Sequence, residues 1–176
     1  MHSKEKKFSN SQNIYLVGLM GTGKSTVGKI LAEKLGMDFV DSDEAIEKKA
    51  AMSVSEIFAR HGEEFFRNLE KEFIQTGHAQ QNQVVACGGG LCVPPGMMEA
   101  IKEKGWVVCL WAEPETLLLR TGNNQDRPLL QTAKPLEVLQ KLHQQRAARY
   151  READQTVETD QLSPQEIADQ VAGLAG

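Results

Sequence analysis

The sequence predicts an α/β protein, a three-layer α/β/α arrangement around a five-stranded parallel sheet, and three observations carry that prediction. Short apolar runs alternate with helical stretches along the chain, the pattern of a parallel sheet covered on both faces. The first run, Ile14-Tyr15-Leu16-Val17, ends directly at Gly18-Leu19-Met20-Gly21-Thr22-Gly23-Lys24-Ser25, which fits the phosphate-cradling P-loop at every fixed position. Beyond the loop, Val27, Ile30, Leu31 and Leu35 recur at helical spacing, and Gly36 stands where a left-handed cap ends a helix. Strand, glycine loop and helix thus follow in the order of a P-loop NTPase.

The loop points to a bound nucleoside triphosphate. Its amides from Gly21 to Ser25 and the positive end of the following helix face the phosphates, Lys24 supplies a mobile cation, and Ser25 offers a hydroxyl to magnesium. A glycine-rich turn that merely reverses the chain explains the glycines. It does not explain Lys24-Ser25 at a helix start.

The remaining elements follow in turn. Met37 to Asp41, Val84 to Cys87, Trp106 to Trp111 and Thr156 to Thr159 read as strands, each separated from the next by a helical stretch. Ser53 with Glu56 forms a capping box, Gly62 a stop, and Ser163-Pro164-Gln165-Glu166 joins a cap to a proline at the first helical position. Thr121-Gly122-Asn123-Asn124-Gln125-Asp126-Arg127-Pro128 interrupts two helical regions with turn formers and reads as a mobile loop. On a closing lid an arginine neutralises transition-state charge and excludes water, which is the reading given to Arg127.

With 176 residues and a net charge of −4, the chain is expected to be a single domain over 1–176. Its charge excludes a generally nucleic-acid-binding surface. Residues 1–12 are polar and lysine-containing, read as a flexible tail without the apolar core of a signal peptide, and no apolar run has membrane length. The expectation is a soluble, cytoplasmic monomer with no membrane partner. Cys87, Cys92 and Cys109 form no paired metal-ligand motif and are expected as reduced thiols, and the four histidines lack the spacing of a zinc site.

A P-loop alone does not separate kinases from GTPases, transporters or nucleotide sensors. Four further features bear on the acceptor. Asp41-Ser42-Asp43 ends the second strand and is read as placing two carboxylates on one side of an extended chain at the carboxyl edge of the sheet. One is suited to organise the waters of magnesium and the other to receive an acceptor hydroxyl; a helix N-cap at Ser42 or Asp43 is the alternative, and compatible, reading. Arg67 and Glu70 lie three apart in a helical stretch, a spacing that alone signals a solvated salt bridge. Gly88-Gly89-Gly90 follows the apolar strand, bringing bare backbone amides to the same edge or simply forming a turn. Arg146, Arg149 and Arg151 lie on or near a long helix; most are expected in solvent and one in the pocket.

Taken together, the P-loop, Asp41-Ser42-Asp43, Arg67 with Glu70, Gly88-Gly89-Gly90, Arg127-Pro128-Leu129-Leu130 and Arg146 resemble shikimate kinase, in an order that covers the chain from about Ile14 to Ala172. The resemblance implies a nucleoside-monophosphate-kinase-like fold with a small substrate-binding helical region, about 42–78, and a mobile lid, about 121–135. It implies transfer of the ATP γ-phosphoryl group to the 3-hydroxyl of shikimate, in aromatic amino acid biosynthesis, with Mg2+. Asp43 would bind acceptor hydroxyls and act as base, with Lys24 and Arg127 the other catalytic groups. Asp41 would place magnesium through water beside Ser25. Gly21, Thr22, Gly23, Lys24, Ser25, Thr26, Arg120 and Arg127 would hold the nucleotide, Arg120 flanking adenine. Arg67 and Arg146 would grip the shikimate carboxylate, Glu70 would orient Arg67, and Gly88, Gly89 and Gly90 would line the acceptor. Thr159 to Pro164 lacks the arginine that family members often carry in the adenine-binding loop.

The physical chemistry agrees: a small anionic polyol acid calls for cationic carboxylate clamps and a carboxylate facing its hydroxyls. A kinase for another polyol or nucleotide, and a noncatalytic nucleotide switch, are the competing expectations.

Overall fold

The apolar run after the polar leader forms strand β1, Asn13–Val17, and every residue of it is buried. The structure is a computed structural model that describes Phe8, residues 12–121 and residues 130–176. The expected tail therefore lies outside the described residues apart from Phe8 and Gln12, as do residues 122–129 of the expected lid, Arg127 among them. Phe8 sits against Trp106, ring centroids 5.6 Å apart.

After β1 the elements run α1 (Lys24–Leu35), β2 (Asp38–Asp41), α2 (Ser42–Ala50), α3 (Val54–Thr76) and β3 (Gln83–Ala86). The second half adds α4 (Met97–Lys104), β4 (Gly105–Trp111), α5 (Pro114–Thr121), α6 (Pro135–Tyr150), β5 (Gln155–Glu158) and α7 (Pro164–Ala175). The five strands pair in the order β2-β3-β1-β4-β5, all parallel. Each expected strand is present with bounds shifted by a residue or so.

Period-two alternation sorts the strand side chains into two cores. Ile14 and Leu16 of β1 join Val84, Val108, Leu110 and Val157 under α1 and α7, whose Val27, Leu31, Ile167 and Val171 are buried there. Tyr15 and Val17 point the other way, joining Val85, Val107 and Cys109 beneath Ile57, Phe66 and Phe73 of α3, Ile101 of α4 and Leu139 and Tyr150 of α6. Both faces are covered over the three central strands, so β1, β3 and β4 are buried along their whole length, whereas the edge strands β2 and β5 are only partly buried.

The crossovers change direction beside β1: from β1 the chain runs out to β2 at the sheet edge, returns to β3 between β2 and β1, and then crosses over β1 to β4 and β5. The loops leaving β1 and β3 therefore part at the carboxyl edge and open a crevice between them, where ligands of open α/β sheets bind. Gly18 follows β1 and Gly88 follows β3, one on each side of that crevice.

Both expected capping boxes are present, at Ser53 with Glu56 and Ser163 with Glu166. Gly62 is a break rather than an end: its backbone, φ 82° and ψ 175°, interrupts α3, and the helix resumes directly. That left-handed kink, which glycine adopts without a Cβ penalty, sets the direction of the segment carrying Arg67. Cys87, Cys92 and Cys109 are free thiols, all buried. Among the described residues no helix is long and apolar enough to cross a membrane.

Candidate active site

Lys24 is the first residue of α1, and its Nζ donates to the carbonyls of Gly18 at 2.7 Å and Leu19 at 2.9 Å. The ammonium thus bridges the loop from which it springs. Thr22, buried, ties the loop to itself by donating from Oγ1 to the Leu19 carbonyl at 2.9 Å. Ser25 Oγ donates to Asp41 Oδ2 at 2.6 Å, joining the end of β2 to the start of α1. A cavity of about 630 Å³ opens over this loop, lined by Gly21 to Thr26, Asp41, Asp43, Gly88, Gly89 and Arg120, with Leu162, Pro164 and Ile167 as apolar walls.

Arg120 donates to Thr159 twice, from Nη1 to Oγ1 at 3.0 Å and from Nη2 to the carbonyl at 2.6 Å. The arginine-free segment from Thr159 to Pro164 therefore contributes an anchor for Arg120 and an apolar wall.

Asp41 and Asp43 do not share one side of an extended chain, as the sequence suggested. Asp41 caps α2, its Oδ1 accepting from the amides of Asp43 at 3.0 Å and Glu44 at 3.3 Å, so helix begins at Ser42 and Asp43 lies in its first turn. The cap competes with strand extension for these amides and wins because β2 has no strand partner beyond Asp41, which pairs with Ala86. Asp43 then turns toward the glycine run, where a Cβ on Gly88 would come within 2.6 Å of its Oδ1. That oxygen is buried with no hydrogen-bond partner among the described residues. Burial, and then the Asp41 carboxylate, push the Asp43 carboxyl up to about 6, while Lys24 and Arg67 draw it down.

Arg67 and Glu70 do meet, one helical turn apart on α3, with Nη1 donating to Glu70 Oε2 at 2.6 Å. Glu70 is 1% exposed, so this is no solvated surface pair. Burial pushes its carboxyl up to about 7 against the opposing pull of the guanidinium. Gly90 closes on Arg67: a Cβ there would stand 2.6 and 2.7 Å from Nη2 and Nη1, so any side chain at this position would have to displace the guanidinium from its place beside Glu70.

Of the three arginines on or near α6, Arg146 reaches the crevice, with Nη1 3.3 Å from the Gly89 carbonyl that accepts its hydrogen bond. Arg149 pairs instead with Glu99 and Glu152, and Arg151 lies 5.1 Å from the Trp111 ring centroid. The structure therefore brings together the P-loop, Asp41, Asp43, Arg67, Glu70, Gly88 to Gly90, Arg120 and Arg146. Arg127 is outside the described residues.

Two supports were not named from sequence. Ser42, buried, accepts the Gly88 amide on Oγ at 2.8 Å, and Tyr150 donates from Oη to the Gly89 carbonyl at 2.5 Å. Tyr150 shares a helix face with Arg146 by its i+4 spacing, the one sequence signal that would have found it.

A P-loop at the crevice of a parallel sheet, faced by a half-buried carboxylate and a pinned guanidinium, defines a P-loop kinase acting on a small acceptor. Residues 20–174 match the family model for shikimate kinase, and the chain belongs to the shikimate kinase family. It is 42% identical over 160 residues to the shikimate kinase of Thermodesulfovibrio yellowstonii, covering 91% of this chain and 92% of that one. Among solved structures, the shikimate kinase of Acinetobacter baumannii in complex with shikimate matches with a TM-score of 0.88 at 40% identity, over 93% of this chain and 92% of that one. The shikimate kinase of Bacteroides thetaiotaomicron matches with a TM-score of 0.83 at 30% identity, over 93% and 98%.

Proposed function

We propose that this chain transfers the γ-phosphoryl group of ATP to the 3-hydroxyl of shikimate, giving shikimate 3-phosphate and ADP, as a step of aromatic amino acid biosynthesis. The observation that carries the reading is the shared crevice: Asp43 lines one cavity with Lys24 and faces Gly88, while two residues along the same glycine run Gly90 faces the Arg67 guanidinium held by Glu70. That is what an anionic polyol acceptor needs beside a triphosphate.

Arg67 and Arg146 hold the acceptor carboxylate, Glu70 keeps Arg67 in place, and Gly88, Gly89 and Gly90 let the ring approach the backbone. Asp43 orients the 3-hydroxyl and accepts its proton as the new P–O bond forms. Since the transition state of phosphoryl transfer is loose, alignment and charge stabilisation dominate over deprotonation. Lys24 leaves the Gly18 and Leu19 carbonyls for the phosphates, and Arg127 meets the transferring group from the lid at about 121–135. Gly21 to Thr26 hold the phosphates, and Arg120 flanks adenine.

The residues fit magnesium. Among the described residues no three His, Cys, Asp or Glu side chains converge on an all-protein metal site, while Ser25 and Asp41 present a hydroxyl and a carboxylate 2.6 Å apart at the phosphate loop. This suits an ion that takes its other ligands from phosphate and water. Ser25 would bind it directly and Asp41 through water, and magnesium held there would supply charge neutralisation to the bound phosphates. The whole chain acts as one kinase domain, a cytoplasmic monomer with no nucleic-acid partner.

The test is ADP release from Mg-ATP with shikimate, gluconate and nucleoside monophosphates compared side by side. Release with shikimate alone supports the assignment; its absence, or equal release with gluconate, overturns it.

A further inference from the structure

Arg67 carries a second carboxylate besides Glu70. Glu63, one turn earlier on α3, accepts on a single oxygen from both Nε at 3.4 Å and Nη2 at 3.2 Å of the guanidinium. The two partners differ in freedom: the Glu70 side chain is 1% exposed and that of Glu63 68%. Glu70 is fixed, whereas Glu63 can swing into water.

The edge that Glu63 occupies is the one a ligand needs. A planar guanidinium offers carboxylates two forked edges, Nη1 with Nη2 and Nε with Nη2. The first is closed. A Cβ on Gly90 would stand 2.6 Å from Nη2, 2.7 Å from Nη1 and 3.0 Å from Cζ, distances that fit an approach in the guanidinium plane across that fork. With Nη1 also committed to Glu70, the Nε–Nη2 edge remains for a second carboxylate.

We propose that Glu63 is an internal stand-in for the acceptor carboxylate, occupying the Nε–Nη2 edge of Arg67 until the substrate displaces it. The inference rests on the assignment of Arg67 to the acceptor carboxylate. Glu63 holds a long, mobile cation extended in the orientation the acceptor requires and lowers acceptor affinity in exchange. It also sets a specificity filter: an acceptor without a carboxylate does not repay the lost ion pair, so neutral polyols are rejected beyond the loss of their own contact.

The test is Glu63→Gln, which keeps the shape of the side chain and removes its charge, read by steady-state kinetics and by calorimetric titration of shikimate without nucleotide. Exposed ion pairs are weak, so the expected fall in shikimate KM and Kd is about 2- to 5-fold, with kcat and the ATP KM unchanged. Glu72→Gln, on the same helix as Glu63, breaks an exposed pair with Lys49 of α2, makes the same change in net charge and is expected to leave the shikimate KM where it was. An equal fall in that control, an unchanged KM in E63Q, or a raised KM, the last marking Glu63 as a permanent support of Arg67, overturns the competition. If the unaltered chain releases no ADP with shikimate, the acceptor assignment fails and the competition with it. Normal turnover with an unmoved KM in E63Q overturns the competition alone.

Discussion

Replacing Asp43 by Asn is expected to remove activity and at the same time stabilise the fold. The carboxyl is pushed from 3.8 to about 6, first by burial and then by Asp41, so the folded protein resists its ionisation. The sign follows from linkage. A carboxyl whose folded pKa is raised costs nothing below about 3.8, an increasing amount as pH rises toward 6, and its full penalty above that. A rise of this size corresponds to about 3 kcal/mol at neutral pH, and the carboxyl keeps part of its hydration at the cavity wall, so about 1–2 kcal/mol is expected.

Asn keeps the volume, leaves the lone buried oxygen unpartnered as before, and removes the charge that also raises Glu70. For a chain of this length the gain raises Tm by about 2–8 °C. Thermal unfolding of both proteins without ligand, at pH 7.5 and at pH 4, measures it. The gain should be full at the first pH and shrink to a small remnant at the second, while shikimate-dependent turnover falls by about 100-fold or more. A Tm at pH 7.5 equal to or below that of the unaltered chain refutes the burial argument, and near-normal turnover refutes Asp43 as base.

Three other outcomes follow from the same site. Arg67→Ala raises the shikimate KM by about 30- to 100-fold, the worth of a charge-assisted pair, and leaves the ATP KM nearly unchanged; a shift in both shows that Arg67 does not belong to the acceptor half alone. Gly90→Ala drives a methyl to within 2.6 Å of Nη2 of Arg67, so the shikimate KM rises about tenfold or more with normal nucleotide binding, measured by titration with an ATP analogue. kcat/KM falls about tenfold per pH unit below about 6, as Asp43 takes a proton; a flat profile down to pH 5 shows that its ionised form is not required.

The donor half was legible because its signals are local. The strand, glycine loop and helix are contiguous from Asn13 to Leu35, and each part supports the next. Asp41-Ser42-Asp43 was legible as a site and misread as a conformation. Three successive residues there can all cap a helix, and which one does depends on where β2 stops pairing with β3, a fact of tertiary structure. Arg67 with Glu70 has the spacing of an ordinary surface pair; its burial comes from α3 packing under the sheet, which no window of helix sequence records. Ser42 to Gly88 and Tyr150 to Gly89 join residues 46 and 61 apart, so no local pattern could announce them.

The helices that carry the two halves of the crevice are rooted in different cores. Helix α1, which opens at Lys24, packs with α7 on one face of the sheet, whereas α3, which carries Arg67, is buried on the other. A bisubstrate inhibitor, with a nucleotide-like end tethered to a cyclic carboxylic acid, would be clamped from both cores at once. Each end gains from the other as a high local concentration only when the tether matches the span. Its nucleotide end meets main-chain amides that every P-loop offers, so selectivity for this enzyme has to be designed into the end that faces Arg67 and Gly90.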